Sequence, residues 1–80
     1  MRVDKFLKNS RIIKRRTVAR EACLQGRVLI NDKLAKPGDN LKVGDVIKIN
    51  FGNRTRVVEV LDIRDNVRKA EATTLYKNLD

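Results

Sequence analysis

Residues 1–20 hold the groups best suited to chemistry in this 80-residue chain: eight bases, Arg2, Lys5, Lys8, Arg11, Lys14, Arg15, Arg16 and Arg20, against one acid, Asp4. Guanidinium and ammonium groups at this density grip phosphate rather than break bonds. Several can reach successive phosphates of one backbone while the apolar residues between them anchor the segment. The remainder is nearly balanced, with five bases against four acids in 21–50 and six against five in 51–80, so the first quarter carries almost all of the net charge of +9. A solubilising surface mixes its signs; a one-signed block confined to one segment points to a polyanion partner.

Other chemistries are excluded by what is missing. The chain has no histidine, one cysteine (Cys23) and one serine (Ser10), which removes Ser-His-Asp and Cys-His nucleophiles, Cys/His zinc sites and any internal disulfide. The acids have simpler roles than acid-base or metal work: Asp32, Asp39 and Asp45 stand in turn contexts, Asp4 in a first helical turn, and Glu21 beside arginine-rich turns. Neither a Walker A loop nor a dinucleotide fingerprint is present. A binding protein is expected, without catalytic residues, cofactor or metal. Cys23, among Val18, Ala19 and Ala22, reads as a small buried residue. No apolar run approaches the roughly 18 residues of a membrane span, and no secretory segment is apparent, so the expectation is a soluble cytoplasmic protein with no membrane partner. The first basic segment is too short and too weakly apolar for interfacial anchoring.

The elements that must carry the cluster follow from periodicity. Val3, Phe6 and Leu7 recur at helical spacing over 2–9, with Arg2, Lys5 and Lys8 opposite them. Ser10 to Ile13 reads as a connection. Lys14, Arg15 and Arg16 lead into a second helix whose stripe is Val18, Ala19, Ala22 and Cys23, ended by Gly26. Basic residues at a helix start oppose the dipole, a penalty that a bound phosphate reverses.

From Arg27 the period becomes two. A strand over Val28–Ile30 turns at Asn31-Asp32 into a short return strand through Leu34; Pro37 to Asn40 is a loop, and Val43-Gly44-Asp45 is a turn. Val46 to Phe51 and about Thr55 to Ile63 form a hairpin around Gly52-Asn53. Ala72, Leu75, Tyr76 and Leu79 return to helical spacing, predicting a C-terminal helix over 65–80. The fold class expected is α+β: two N-terminal helices packed on a small antiparallel sheet, plus a C-terminal helix. Phe6, Phe51 and Tyr76 fall at core positions, leaving no stacking platform, so recognition of a structured RNA by shape and phosphate is the economical reading.

Arg2-Val3-Asp4-Lys5-Phe6-Leu7, Lys14-Arg15-Arg16-Thr17 and Gln25-Gly26-Arg27-Val28-Leu29-Ile30-Asn31, followed by Val43-Gly44-Asp45-Val46-Ile47, resemble the RNA-binding S-four domain. These pieces occur in the right order and cover about residues 1–60. The tail from Lys69 to Tyr76 is similar to the helical extension of the stand-alone S-four proteins of Gram-positive ribosome-associated quality control, related to the enterobacterial heat-shock S-four protein. Two positions depart from the usual pattern: Arg15 stands where Ser commonly caps the second helix, and Asn31-Asp32 where Asn-Gly is commoner.

The resemblance implies an S-four-like domain over 1–64 with a helical extension over 65–80 packed on it. It implies a factor that binds the obstructed large ribosomal subunit, touches its ribosomal RNA and the peptidyl-tRNA, and supports the partner RqcH as it adds a C-terminal alanine tail to the stalled chain. Family RNA contacts map onto Arg2, Arg11, Lys14, Arg15 and Arg16; charge alone adds Lys5, Lys8 and Arg20. A monomer is expected. The alternatives are a constitutive structural ribosomal protein or a generic binder of structured RNA; the targeting module of a pseudouridine synthase or tRNA synthetase would need a catalytic domain.

Overall fold

In the computed structural model, which describes residues 1–80, the first helix, α1, runs Val3–Asn9 and turns Val3, Phe6 and Leu7 fully inward, as the spacing requires. No side chain caps its N-terminus. A loop does so instead: the Val3 N–H donates to the Asp39 carbonyl at 2.8 Å and the Asp4 N–H to that of Pro37 at 3.3 Å, while Arg2 forms a β-bridge with Asn40. These carbonyls satisfy N–H groups that a helix start leaves unpaired. Arg11, with φ 61°, makes the corner beyond α1.

The second helix, α2, runs Arg16–Leu24 and packs on α1 through Ala19 and Cys23, one turn apart and both buried. Val18, expected on this stripe, is half exposed, and Ala22 is partly so. The reason is geometric. Two small residues suffice to bring the helices together, and Val18 lies about 100° around the axis from Ala19. Gly26, at φ 73°, ends the helix turn as anticipated.

Five strands form one antiparallel sheet: β1 Val28–Ile30, β2 Lys33–Leu34, β3 Val46–Asn50, β4 Thr55–Val60 and β5 Tyr76–Asn78, in spatial order β2-β1-β3-β4-β5. Asn31 and Asp32 both take positive φ, 50° and 68°, the conformation of the tight hairpin turn their identities predict. Val28 pairs with Ile49 and Ile47 with Val58, so these side chains share the face covered by the helices and complete the core with Phe6, Leu7 and Leu75. Each such large apolar side chain contributes roughly 1.5–3 kcal/mol on burial.

The C-terminal segment differs in part. A third helix is present, but as a 3-10 helix over Lys69–Leu75 that buries Ala72 and Leu75; the chain then extends and adds β5 to the sheet. Two causes are visible. Thr73 and Thr74 are poor helix formers, and without β5 the edge of β4 would present unpaired backbone groups. Leu79, expected on a helical stripe, instead donates its N–H to the Val57 carbonyl at 2.8 Å and leaves its side chain half exposed. β4 stops at Val60 because the N–H groups of Leu61 and Asp62 turn to the Leu75 carbonyl, at 2.8 and 3.2 Å. The α+β class, two helices on a small antiparallel sheet with a third helical turn, stands.

Candidate functional site

Asp4 is the one acid among the clustered bases, and its side chain is 2 % exposed. Its Oδ2 accepts from the Arg2 guanidinium at 3.2 Å, its Oδ1 from that of Arg16 at 3.4 Å, and Oδ1 also takes the Lys5 backbone N–H at 2.8 Å. Arg2 precedes α1 and Arg16 begins α2, so a single carboxylate ties the heads of the two helices. Both guanidiniums remain about half exposed, 51 % and 47 %, and can be gripped from outside. Arg2 is further located by the loop beneath it, where a Cβ added to Gly38 would sit 3.8 Å from its Cζ.

The remaining cations divide by partner. Lys8, Arg11, Lys14 and Arg15 are exposed and enter no ion pair, so their donors are free for an external anion. Arg20 lies at the 4.0 Å limit from Glu21, an exposed pair of little energetic consequence. Lys5 is drawn elsewhere: its Nζ meets Asp65 at 3.0 Å, and its neighbour Asn9 donates its amide to the carbonyls of Arg64 and Asp65 at 3.0 and 3.2 Å. These contacts dock the segment after β4 against α1. Seven of the eight bases thus offer their charge outward, and Lys5 can join them only by releasing an exposed carboxylate.

Sequence reasoning assigned Asp4 only to a helical turn and missed its clamp. The available signal was its solitude, since an unpaired acid would weaken a phosphate-gripping surface. The aromatic positions also differ from expectation. Phe6 is fully buried, whereas Phe51 and Tyr76 are half-buried with arginines over their rings, Arg54 at 5.7 Å and Arg56 at 5.5 Å from the centroids. Cys23 is buried, as anticipated. Burial first, and then the charges of Asp4 and Asp39, push its thiol up from the ordinary 9.0 to about 11. No cluster of His, Cys, Asp and Glu suitable for a metal occurs, and no helix is long and apolar enough to cross a membrane.

Two short helices with tethered arginines at their heads, laid on a small antiparallel sheet, present a surface whose chemistry suits anion capture. Residues 1–47 match the S4 domain, the S-four domain of the sequence analysis. The chain is 52 % identical over 77 residues to the RQC P-site tRNA stabilizing factor of Halalkalibacterium halodurans, covering 96 % of this chain and 88 % of that one. It is 46 % identical over 76 residues to the protein of the same name from Bacillus subtilis, covering 95 % and 88 %. Among solved structures, the heat shock protein 15 of Vibrio cholerae superposes with a TM-score of 0.90 at 33 % identity, covering 98 % of this chain and 80 % of that one. The chain belongs to the S4 domain family and, within it, to the RqcP family, the RQC P-site tRNA stabilizing factors.

Proposed function

We propose that this chain is a non-enzymatic, RNA-binding factor of ribosome-associated quality control. It binds obstructed large ribosomal subunits, sets its helix pair between ribosomal RNA and peptidyl-tRNA, and holds that tRNA while RqcH extends the stalled chain with C-terminal alanine. The observation that carries this reading is the Asp4 clamp, which holds two half-exposed guanidiniums, at the heads of two different helices, against one carboxylate. Guanidiniums held in place lose little freedom on meeting phosphate, which is what a protein that stabilises one placement of an RNA requires. The names of the relatives, which specify a P-site tRNA, support the same partner.

In this reading Arg2, Lys5, Lys8, Arg11, Lys14, Arg15, Arg16 and Arg20 form the RNA surface. Residues 1–64 are the binding domain, and 65–80 is an extension packed on it through Leu75 and β5. The factor acts in the cytoplasm as a monomer and needs no cofactor. A stalling reporter tests the proposal. In cells lacking this chain, alanine tails on the reporter should disappear, returning with the intact protein and not with Arg16→Ala. Tails unchanged by loss of the chain would overturn it.

A further inference from the structure

On the flank of α2 away from Arg16, a half-open cavity of about 340 Å³ lies between that helix and the end of β3. Its walls are apolar, from Ile12, Ile13, Val18, Ala22, Ile49 and Phe51. Four polar residues also line it: Gln25 and Asn50 with their amides, Arg27 and Glu21. The Asn50 Oδ1 already accepts the Gly52 N–H at 2.8 Å, which leaves its amide N–H groups for a ligand.

The surroundings say what chemistry fits. Ile12 and Ile13 belong to the loop bounded by Arg11 and Lys14, and Arg15 precedes Val18 by three residues at the head of α2, so three exposed, unpaired cations flank lining residues of the groove in the chain. Arg54 lies over the ring of Phe51, itself a lining residue. Glu21 is the one acid in the lining. An occupant must therefore be flat or apolar in body, carry hydrogen-bonding edges, and be attached to negative charge. An unstacked nucleotide has this combination: its base offers two faces to apolar walls and its edges to amide groups, while its phosphates need cations close by. The volume lies within the usual range of small-ligand sites, roughly 300–1,000 Å³.

We propose that this cavity receives one unpaired base of the RNA whose backbone the basic cluster holds. The proposal rests on the RNA-binding reading and deepens it. The arginines supply placement without regard to sequence, and the pocket adds a preference for RNA with a base free to leave its stack.

The test compares two short RNA hairpins, one carrying a single unpaired fluorescent adenine analogue and one fully paired with the same analogue. Their binding to the full chain and to Ala22→Leu is measured by titration. Leucine at this partly exposed helical position fills the groove without changing charge. The intact protein should bind the bulged hairpin about tenfold more tightly than the paired one, with a change in the analogue's emission. Ala22→Leu should lose both effects and keep its affinity for the paired RNA. Val18→Gln, at a half-exposed position, should behave alike and serves should Ala22→Leu fail to fold. Equal affinity of the intact protein for the two hairpins would overturn the pocket and leave the phosphate surface standing. Binding to neither would overturn the RNA reading and the pocket with it.

Discussion

Asp4→Asn separates placement of charge from its amount. The substitution keeps the side-chain shape and an oxygen for the Lys5 N–H, but removes the negative charge that draws Arg2 and Arg16 together. The effect on the fold is small. Each arginine is about half exposed, so each ion pair contributes roughly 0.2–1 kcal/mol after solvent screening. Relief from burying a carboxylate offsets part of that loss. A net change within about 1 kcal/mol moves the thermal midpoint of a domain this size by no more than about 4–8 °C.

Binding responds differently. Two released guanidiniums must be immobilised again on RNA, at about 0.5–1.5 kcal/mol each, so affinity should fall by about 1–3 kcal/mol, with about thirtyfold as the central value. Charge alone predicts the opposite sign, because the variant is one unit more positive than the native +9. Fluorescence anisotropy with a structured RNA, alongside a thermal melt, reads both quantities. A folded Asp4→Asn protein that binds as tightly as the native chain, or more tightly, would refute the argument that the clamp organises the surface.

Three further outcomes are expected. With about five basic side chains engaged, log affinity for RNA should fall against log salt with a slope of about -3.5 to -4.5, whereas a flat response would mean that phosphate contacts do not dominate. Arg16→Ala and Arg2→Ala should each weaken binding to large subunits while costing less than about 1 kcal/mol in a denaturant melt; Lys77→Ala, on β5 beside Glu59, should leave binding unchanged, and an equal defect there would place the surface on the wrong face. Cys23 should resist thiol reagents near pH 8 until the chain is unfolded. Its folded value of about 11 exceeds the ordinary 9.0, so the unfolded chain releases the proton first and stability should fall as pH rises from about 9 to about 11; stability constant over that window would contradict the buried thiol.

The parts legible in the sequence were those set by local periodicity and turn chemistry. Val3, Phe6 and Leu7 could lie together only on a helix, and Asn31-Asp32 marked its hairpin through tolerance of positive φ. The cluster was legible because charge density needs no fold to be counted. What escaped was set by distant partners. Tyr76 to Asn78 joined the sheet because β4 had an open edge, a demand arising sixteen or more residues earlier in the chain. Asp4 showed its role only once α2 brought Arg16 beside it, and Val18 turned outward because Ala19 and Cys23 already sufficed for the helix contact.

The company this protein keeps during translation stress decides between a quality-control factor and a structural ribosomal component. Large subunits purified through a tag on this chain should be enriched in particles bearing peptidyl-tRNA and RqcH, and that enrichment should be lost with Arg16→Ala. Recovery of the protein at equal stoichiometry on all ribosomes, stressed or not, would make it a structural component instead.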